Sequence, residues 1–143
     1  MAQTIDLSRF HEAHRLYYRT ALEEIKNGRK ETHWMWFIFP QIDGLGHSDT
    51  TRYYAIKSLE EAKAYLDDPC LGGHLTEISQ ALLALKTRRA SDVFPRPDDR
   101  KLRSSMTLFA LAAGEGSVFG QVLDQYFHGQ PDILTLDILN AQT

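Results

Sequence analysis

A mainly helical fold, an irregular bundle of about six helices in one domain over residues 1–143, is predicted by three observations. Apolar residues recur at spacings of three and four, capping residues precede these stripes, and Gly or Pro stops follow them. Leu7, Phe10, His14, Tyr17, Ala21 and Ile25 form the first stripe, between Asp6 and an Asn27-Gly28 stop, and predict one long helix. The run Trp34-Met35-Trp36-Phe37-Ile38-Phe39 is continuously apolar and ends at Pro40. It is too short to show a period, so a short strand and a buried helical turn both remain open for residues 33–39. Pro40 to Ser48 is a predicted loop in which Gly44 and Gly46 flank Leu45 and let the backbone approach a ligand or another backbone closely.

Ser58 followed by Glu61 is a capping-box signature for a helix over Leu59 to Leu66. Asp68-Pro69 reads as N-cap and first position of the next, whose stripe is Leu71, Leu75, Ile78, Leu82 and Leu85. Residues 86–103 change character: they carry a net charge of +4, and Pro95 and Pro97 mark a loop. A helix resumes at Asp98 or Asp99, striped by Leu102, Met106, Phe109 and Ala113, and stops at Gly114. Ser117 caps a helix bearing Phe119, Val122, Tyr126 and Phe127, which ends at Gly129-Gln130-Pro131, and Asp132 opens a last short helix through Leu139. Neither an internal repeat nor a linker divides the chain.

Composition bounds the function classes. The 143 residues carry a net charge of −3, with 43% hydrophobic and 24% charged residues and a mean hydropathy of −0.36. Such a chain buries roughly two-thirds of its unfolded surface, so disordered and collagen-like classes are excluded. The acidic balance argues against a long nucleic-acid partner despite the basic segment. A lone Cys70 forms no internal disulfide and no Cys-rich zinc site, which suits a reducing cytoplasm. The start has no secretory leader pattern, and no apolar run approaches the roughly 18 residues of a membrane span. A cytoplasmic protein without a membrane partner is expected.

Familiar chemical motifs are mostly missing. There is no P-loop, Gly44-Leu45-Gly46 is followed by Asp49 where a dinucleotide fingerprint needs Gly, and Gly116-Ser117 lacks the second Gly of a hydrolase elbow. His11 and His14 share a helix side but stand one residue short of the zinc-protease spacing, with no obvious third ligand. His14 reads as a core histidine, and neither a metal nor a cofactor is expected. Cys70 reads as a small hydrophobe rather than a nucleophile.

One region holds more chemistry. Trp34, Trp36 and the loop from Gln41 to Ser48 bring rigid aromatics, an amide, a carboxylate and glycines within fifteen residues. Packing alone explains part of this, with Trp36, Phe37 and Phe39 in the core and Asp43-Gly44 as a turn. In the sharper reading Trp34 or Trp36 stacks a planar group, Gln41 and Asp43 hydrogen-bond it, and Gly44, Gly46 and Ser48 shape the loop. Arg52, Lys101, Ser104 and Ser105 then hold anionic oxygens, since Lys101 and Ser105 are four apart on one helix edge, beside Asp98. The expected ligand is a polar small molecule with a phosphate or nucleotide-like group. The alternative is a partner-binding or homo-oligomeric patch with Tyr53 and Tyr54 around Trp34.

The strings Trp34-Met-Trp36-Phe37-Ile38-Phe39-Pro40-Gln41-Ile42-Asp43-Gly44-Leu45-Gly46-His-Ser48 and Lys101-Leu-Arg-Ser104-Ser105-Met106-Thr107-Leu108-Phe109 resemble domain-of-unknown-function family 1810. Landmarks between and after them agree, including Tyr54-Ala-Ile56, Glu61-Ala62 with Tyr65-Leu66, Leu71-Gly72, and Asp132 with Thr135. The resemblance implies a small, mainly helical bacterial protein and supplies no activity, cofactor or catalytic residue. Two positions depart from the pattern: His74 stands where Arg is expected, and Phe94-Pro95-Arg96-Pro97 replaces a Phe-Gly turn. In motif order alone, Tyr53-Tyr54, Glu61-Ala62, Asp99-x-Lys101, Met106 and Gly129-x-x-Asp132 resemble the NADAR proteins, which act on N-glycosidic riboside or ADP-ribose-type substrates. That similarity implies N-glycoside hydrolysis, in which a carboxylate stabilises an oxocarbenium-like state or activates water; Asp99 and Asp43 are the candidates. Glu61 is already explained by its capping box, and Asp99 also reads as a first-turn helix charge.

Overall fold

The computed structural model describes residues 5–142, and nine helices occur among them rather than six. They are α1 (Ser8–Lys26), α2 (Met35–Ile38), α3 (Asp49–Tyr54), α4 (Leu59–Asp67), α5 (Pro69–Ala84), α6 (Ala90–Val93), α7 (Asp98–Ala113), α8 (Val118–Phe127) and α9 (Ile133–Ala141). The additional three, α2, α3 and α6, have only four, six and four residues, too few for an apolar period to show. Residues 33–39 therefore hold one helical turn. No strand is present among the described residues; an isolated parallel bridge joins Ile42 to Ile56. Its two bonds, Asp43 N–H to the Ile56 carbonyl and Ile56 N–H to the Gln41 carbonyl, are both 2.8 Å.

Four of the six longer helices start at a side-chain cap. Ser58 accepts from the Glu61 N–H, Asp68 from the N–H groups of Cys70 and Leu71, Ser117 from Gly120, and Asp132 from Thr135. The Ser58–Glu61 box is modified in its second half. Glu61 Oε1 accepts from the N–H of Lys57 at 3.0 Å, not from that of Ser58, and from the Arg9 guanidinium at 3.1 Å, which ties α4 to α1.

Two helices organise the packing. α7 lies against α4, α6, α8 and α9, while α5 lies against α1, α4 and α8. Because α7 is surrounded, it buries Leu102 and every residue from Ser104 to Phe109. A single stripe understates that burial, and the last member of the expected stripe, Ala113, is exposed. The corner between α4 and α5 is so close that a Cβ on Gly72 would stand 2.0 Å from the Leu66 carbonyl oxygen, whereas one on neighbouring Gly73 would meet nothing within 4 Å.

The short α2 is held from outside. The Phe37 carbonyl accepts from His14 Nε2 at 2.9 Å and from the Tyr65 hydroxyl at 3.2 Å. A carbonyl only accepts, so His14 carries its proton on Nε2 and, when neutral, receives His74 Nδ1–H at its own Nδ1, 2.9 Å away. His74 stacks on Tyr18 with ring centroids 3.6 Å apart. Burial above all, with the neighbouring His74 and His11 adding to it, lowers the His14 pKa to about 4 against the opposing pull of the Phe37 carbonyl.

Two predictions follow from this packing. Gly72→Ala should cost about 3 kcal/mol, because backbone cannot move aside, while Gly73→Ala should raise stability by up to about 1 kcal/mol. Urea unfolding of the two variants checks this, and similar effects would contradict the close corner. For His14, the unfolded chain takes up a proton near pH 6.5 and the folded chain only near pH 4, so the unfolded state binds more protons between those values. Stability should fall as pH drops through that window, by about 3 kcal/mol more in the wild type than in His14→Gln. Parallel pH profiles of the two proteins would show the opposite.

Candidate ligand-binding cleft

The loop after α2 is pinned at one end by the Ile42–Ile56 bridge and at the other by Ser48, which caps α3 by accepting from the Thr51 N–H and donates to Thr51 Oγ1 at 2.7 Å. Between them the chain folds back on Thr51. A Cβ at Gly46 would lie 2.6 Å from Thr51 Cγ2, so a side chain here would displace the Thr51 methyl.

Opposite the loop stands the first half of α7. Its start is fixed by an ion pair between the buried Lys30 and Asp98, 2.9 Å long, with the Lys30 ammonium 5.1 Å from the Trp34 ring centroid. Lys30 N–H also bonds the Val93 carbonyl, so the segment before α2, the end of α6 and the start of α7 are joined. Removing one partner of such a pair leaves a buried charge uncompensated.

A cleft of about 570 Å³ opens between the loop, α7 and the start of α9. Gln41, Gly46 and Thr51 border it on the loop side, and Arg100, Lys101, Arg103 and Ser104 on the helix side. Asp132 and the exposed Leu134 complete it. Its charged lining is thus three cations and one carboxylate. Arg103 is oriented by its Nε–H bond to the Gln130 carbonyl at 2.9 Å and lies over the Phe127 ring, 5.8 Å from the centroid. The carboxylate is engaged: Asp132 Oδ2 accepts from the Thr135 hydroxyl at 2.6 Å, the Thr135 N–H at 3.1 Å and the Ser104 hydroxyl at 3.1 Å.

Of the residues expected at a site, Gln41, Gly46, Lys101 and Ser104 meet at this cleft. Trp36 is half-buried and stands beside it, with the Lys101 ammonium 5.6 Å from its ring centroid. Trp34 is different. It is 1% exposed and packs against Phe39 and Phe94, so its ring has no face for a ligand. Its indole N–H donates to Glu24 Oε1, which also accepts from the N–H groups of Glu31 and Thr32. Burial raises the Glu24 pKa, but these bonds and the Thr32 hydroxyl together hold it below the ordinary value. Ser105 is likewise in the core, fully buried, with no hydrogen-bond partner for its hydroxyl. One position along from Ser104 on α7 turns it inward.

The remaining candidates lie outside the cleft lining. Gly44, at φ +111°, faces α9, where a Cβ would lie 3.3 Å from Ile138. Arg52 and Ser48 are on the exposed side of α3 and its cap. Asp43 is 3.6 Å from the Lys57 ammonium, and Asp99 accepts from the Arg100 N–H at 3.0 Å and stands 3.9 Å from Arg96. The two candidate carboxylates therefore do not share the cleft. The carboxylate that does, Asp132, enters the sequence reading as a helix cap and as a landmark of both resemblances but not as a site candidate, and Arg100 and Arg103 are two among several cations of the basic segment. The aromatic patch is also broken up: Tyr54 packs between Phe10 and Phe37, leaving Tyr53 exposed.

Elsewhere, His11 pairs with Asp68 at 2.7 Å, and the exposed Cys70 lies 3.9 Å from His74 Nδ1, its thiol pKa pushed up by burial and by Asp68. Among the described residues no group of three or more His, Cys, Asp or Glu side chains is placed to hold a metal ion, and no helix is long and apolar enough to cross a membrane.

Comparison with known proteins places the fold. No curated protein matches the chain. Among solved structures, the 1.38 Å crystal structure of the conserved hypothetical protein Rv1873 from Mycobacterium tuberculosis is similar, with 44% identity, a TM-score of 0.91, and 94% of this chain and 96% of that one covered. A family model described as a protein of unknown function, DUF1810, matches residues 4–139. With near-complete coverage by the family model and by a structural relative of that identity, the chain belongs to the DUF1810 family.

Proposed function

We propose that this protein binds a phosphate-bearing small molecule in the cleft between the Gln41–Thr51 segment and α7. The observation that carries the reading is the convergence of Arg100, Lys101 and Arg103, from one helix, on a cleft of about 570 Å³ whose far wall is a glycine-containing loop. That volume lies in the range of small-molecule sites, and guanidinium groups with an adjacent ammonium match the oxygens of a phosphate ester. Gln41 and Ser104 add uncharged hydrogen-bonding groups, and the Asp132 carboxylate favours a ligand that also carries hydroxyl donors over a bare anion.

The reading is one of binding. Hydrolysis of an N-glycosidic bond needs a carboxylate at the reacting carbon. Asp43 and Asp99 face basic side chains outside the cleft, and Asp132 is held by its cap of α9, with Oδ2 bonded to three donors and Oδ1 left to accept from a ligand hydroxyl.

Calorimetric titration with ribose 5-phosphate tests the proposal. Binding is expected in the wild type at low ionic strength, to weaken as salt is raised, and to fall roughly tenfold or more in Lys101→Ala, the loss expected for one charge-assisted hydrogen bond. Arg52→Ala, on the exposed side of α3, should bind as the wild type does. Absence of binding in the wild type, or equal losses in both variants, would overturn the assignment.

A further inference from the structure

A second cavity adjoins the cleft. It encloses about 290 Å³, and Pro97 and Lys101 border both spaces, so the Lys101 side chain stands at the junction. The walls of the second space differ in chemistry. Besides the exposed guanidinium of Arg96 at its rim, this one offers the indole of Trp36, the exposed imidazole of His33 and the exposed carboxylate of Glu31. Its deep cation, Lys30, is neutralised by Asp98 at 2.9 Å, and Lys101 also lies 3.8 Å from that carboxylate. Arg96 stands 3.9 Å from Asp99, so each cation bordering this space lies within 4 Å of a carboxylate.

Resting on the reading of the first cleft as a phosphate site, we infer that the two spaces take one bipartite ligand, a nucleoside 5′-phosphate. Its phosphate lies among Arg100, Lys101 and Arg103, and its base lies in the second cavity against Trp36. The geometry suits the class. The Lys101 ammonium is 5.6 Å from the Trp36 ring centroid, so a cation for the phosphate and an aromatic wall for the base stand side by side at the junction of the two spaces. Glu31 and His33 at the cavity edge supply acceptors for exocyclic amino groups, which a purely apolar stacking slot would not need.

The test compares adenosine 5′-monophosphate with ribose 5-phosphate by calorimetry on the full chain. The monophosphate should bind about tenfold more tightly, a base-stacking increment of about 1.4 kcal/mol. Trp36→Leu should remove that increment and leave ribose 5-phosphate unchanged. Because Trp36 packs partly on the core, His33→Ala, an exposed position, serves as the second variant and should narrow the preference with no change in melting temperature. Equal binding of the two compounds by the wild type, or loss of both in Trp36→Leu with no effect in His33→Ala, overturns the second cavity while leaving the phosphate site standing. Failure of both compounds to bind overturns the phosphate site and the inference with it.

Discussion

The Phe37 carbonyl is the point on which the half of the molecule that carries the cleft depends. A four-residue helix has no ladder of its own to hold it in place, and isolated turns of that length do not persist in water. Here the carbonyl is taken by His14 from α1 and Tyr65 from α4, and His14 is in turn braced by His74 from α5. Donors from two helices thus meet at one acceptor on a third, and α5 braces one of the donors. The arrangement requires a neutral imidazole of fixed tautomer, which burial enforces by lowering its pKa to about 4. From that fixed turn the chain leaves through Pro40 to Gln41 and Gly46, so the position of the cleft loop is inherited from the buried histidine.

Charge is arranged with the same economy on the other side. Glu24 gathers the donors of residues 31–34 and fixes the Trp34 indole, and Lys30 pins Asp98 at the start of α7. Both are buried or half-buried groups with specific partners, and each holds a segment that borders one of the two cavities. By contrast the cations at the cleft are supported loosely: Arg103 has one bond to a carbonyl, and Lys101 stands 3.8 Å from Asp98. Rigid supports beneath adaptable cationic side chains are what a binding site on a helical scaffold requires.

Legibility in the sequence follows element length. Each of the six longer helices carries a stripe, a cap or both, and the caps at Ser58, Asp68, Ser117 and Asp132 are made by the residues that announce them. The short α2, α3 and α6 have neither enough residues for a period nor a distinctive composition. Of the expected residues, Gln41, Gly46, Lys101 and Ser104 line the cleft, because loop glycines and helix-edge polar groups have recognisable local roles. Trp34 and Ser105 were misplaced for a physical reason: whether an indole or a hydroxyl faces in or out is decided by partners far away in the chain, Glu24 and the surrounded α7, that local spacing does not reveal. Asp132 was hidden by its capping role, which accounts for the residue without pointing to what else it borders.

Binding in the cleft requires the loop and α7 to form one surface. Backbone-amide chemical-shift mapping of the full chain, titrated with ribose 5-phosphate, addresses that surface without any substitution. Saturable shifts concentrated at Gly46, Arg100, Lys101, Ser104 and Asp132, with the amides of α5 unmoved, are the predicted result. Shifts centred on Lys86, Arg88 and Arg89, or confined to one wall of the cleft, would contradict it.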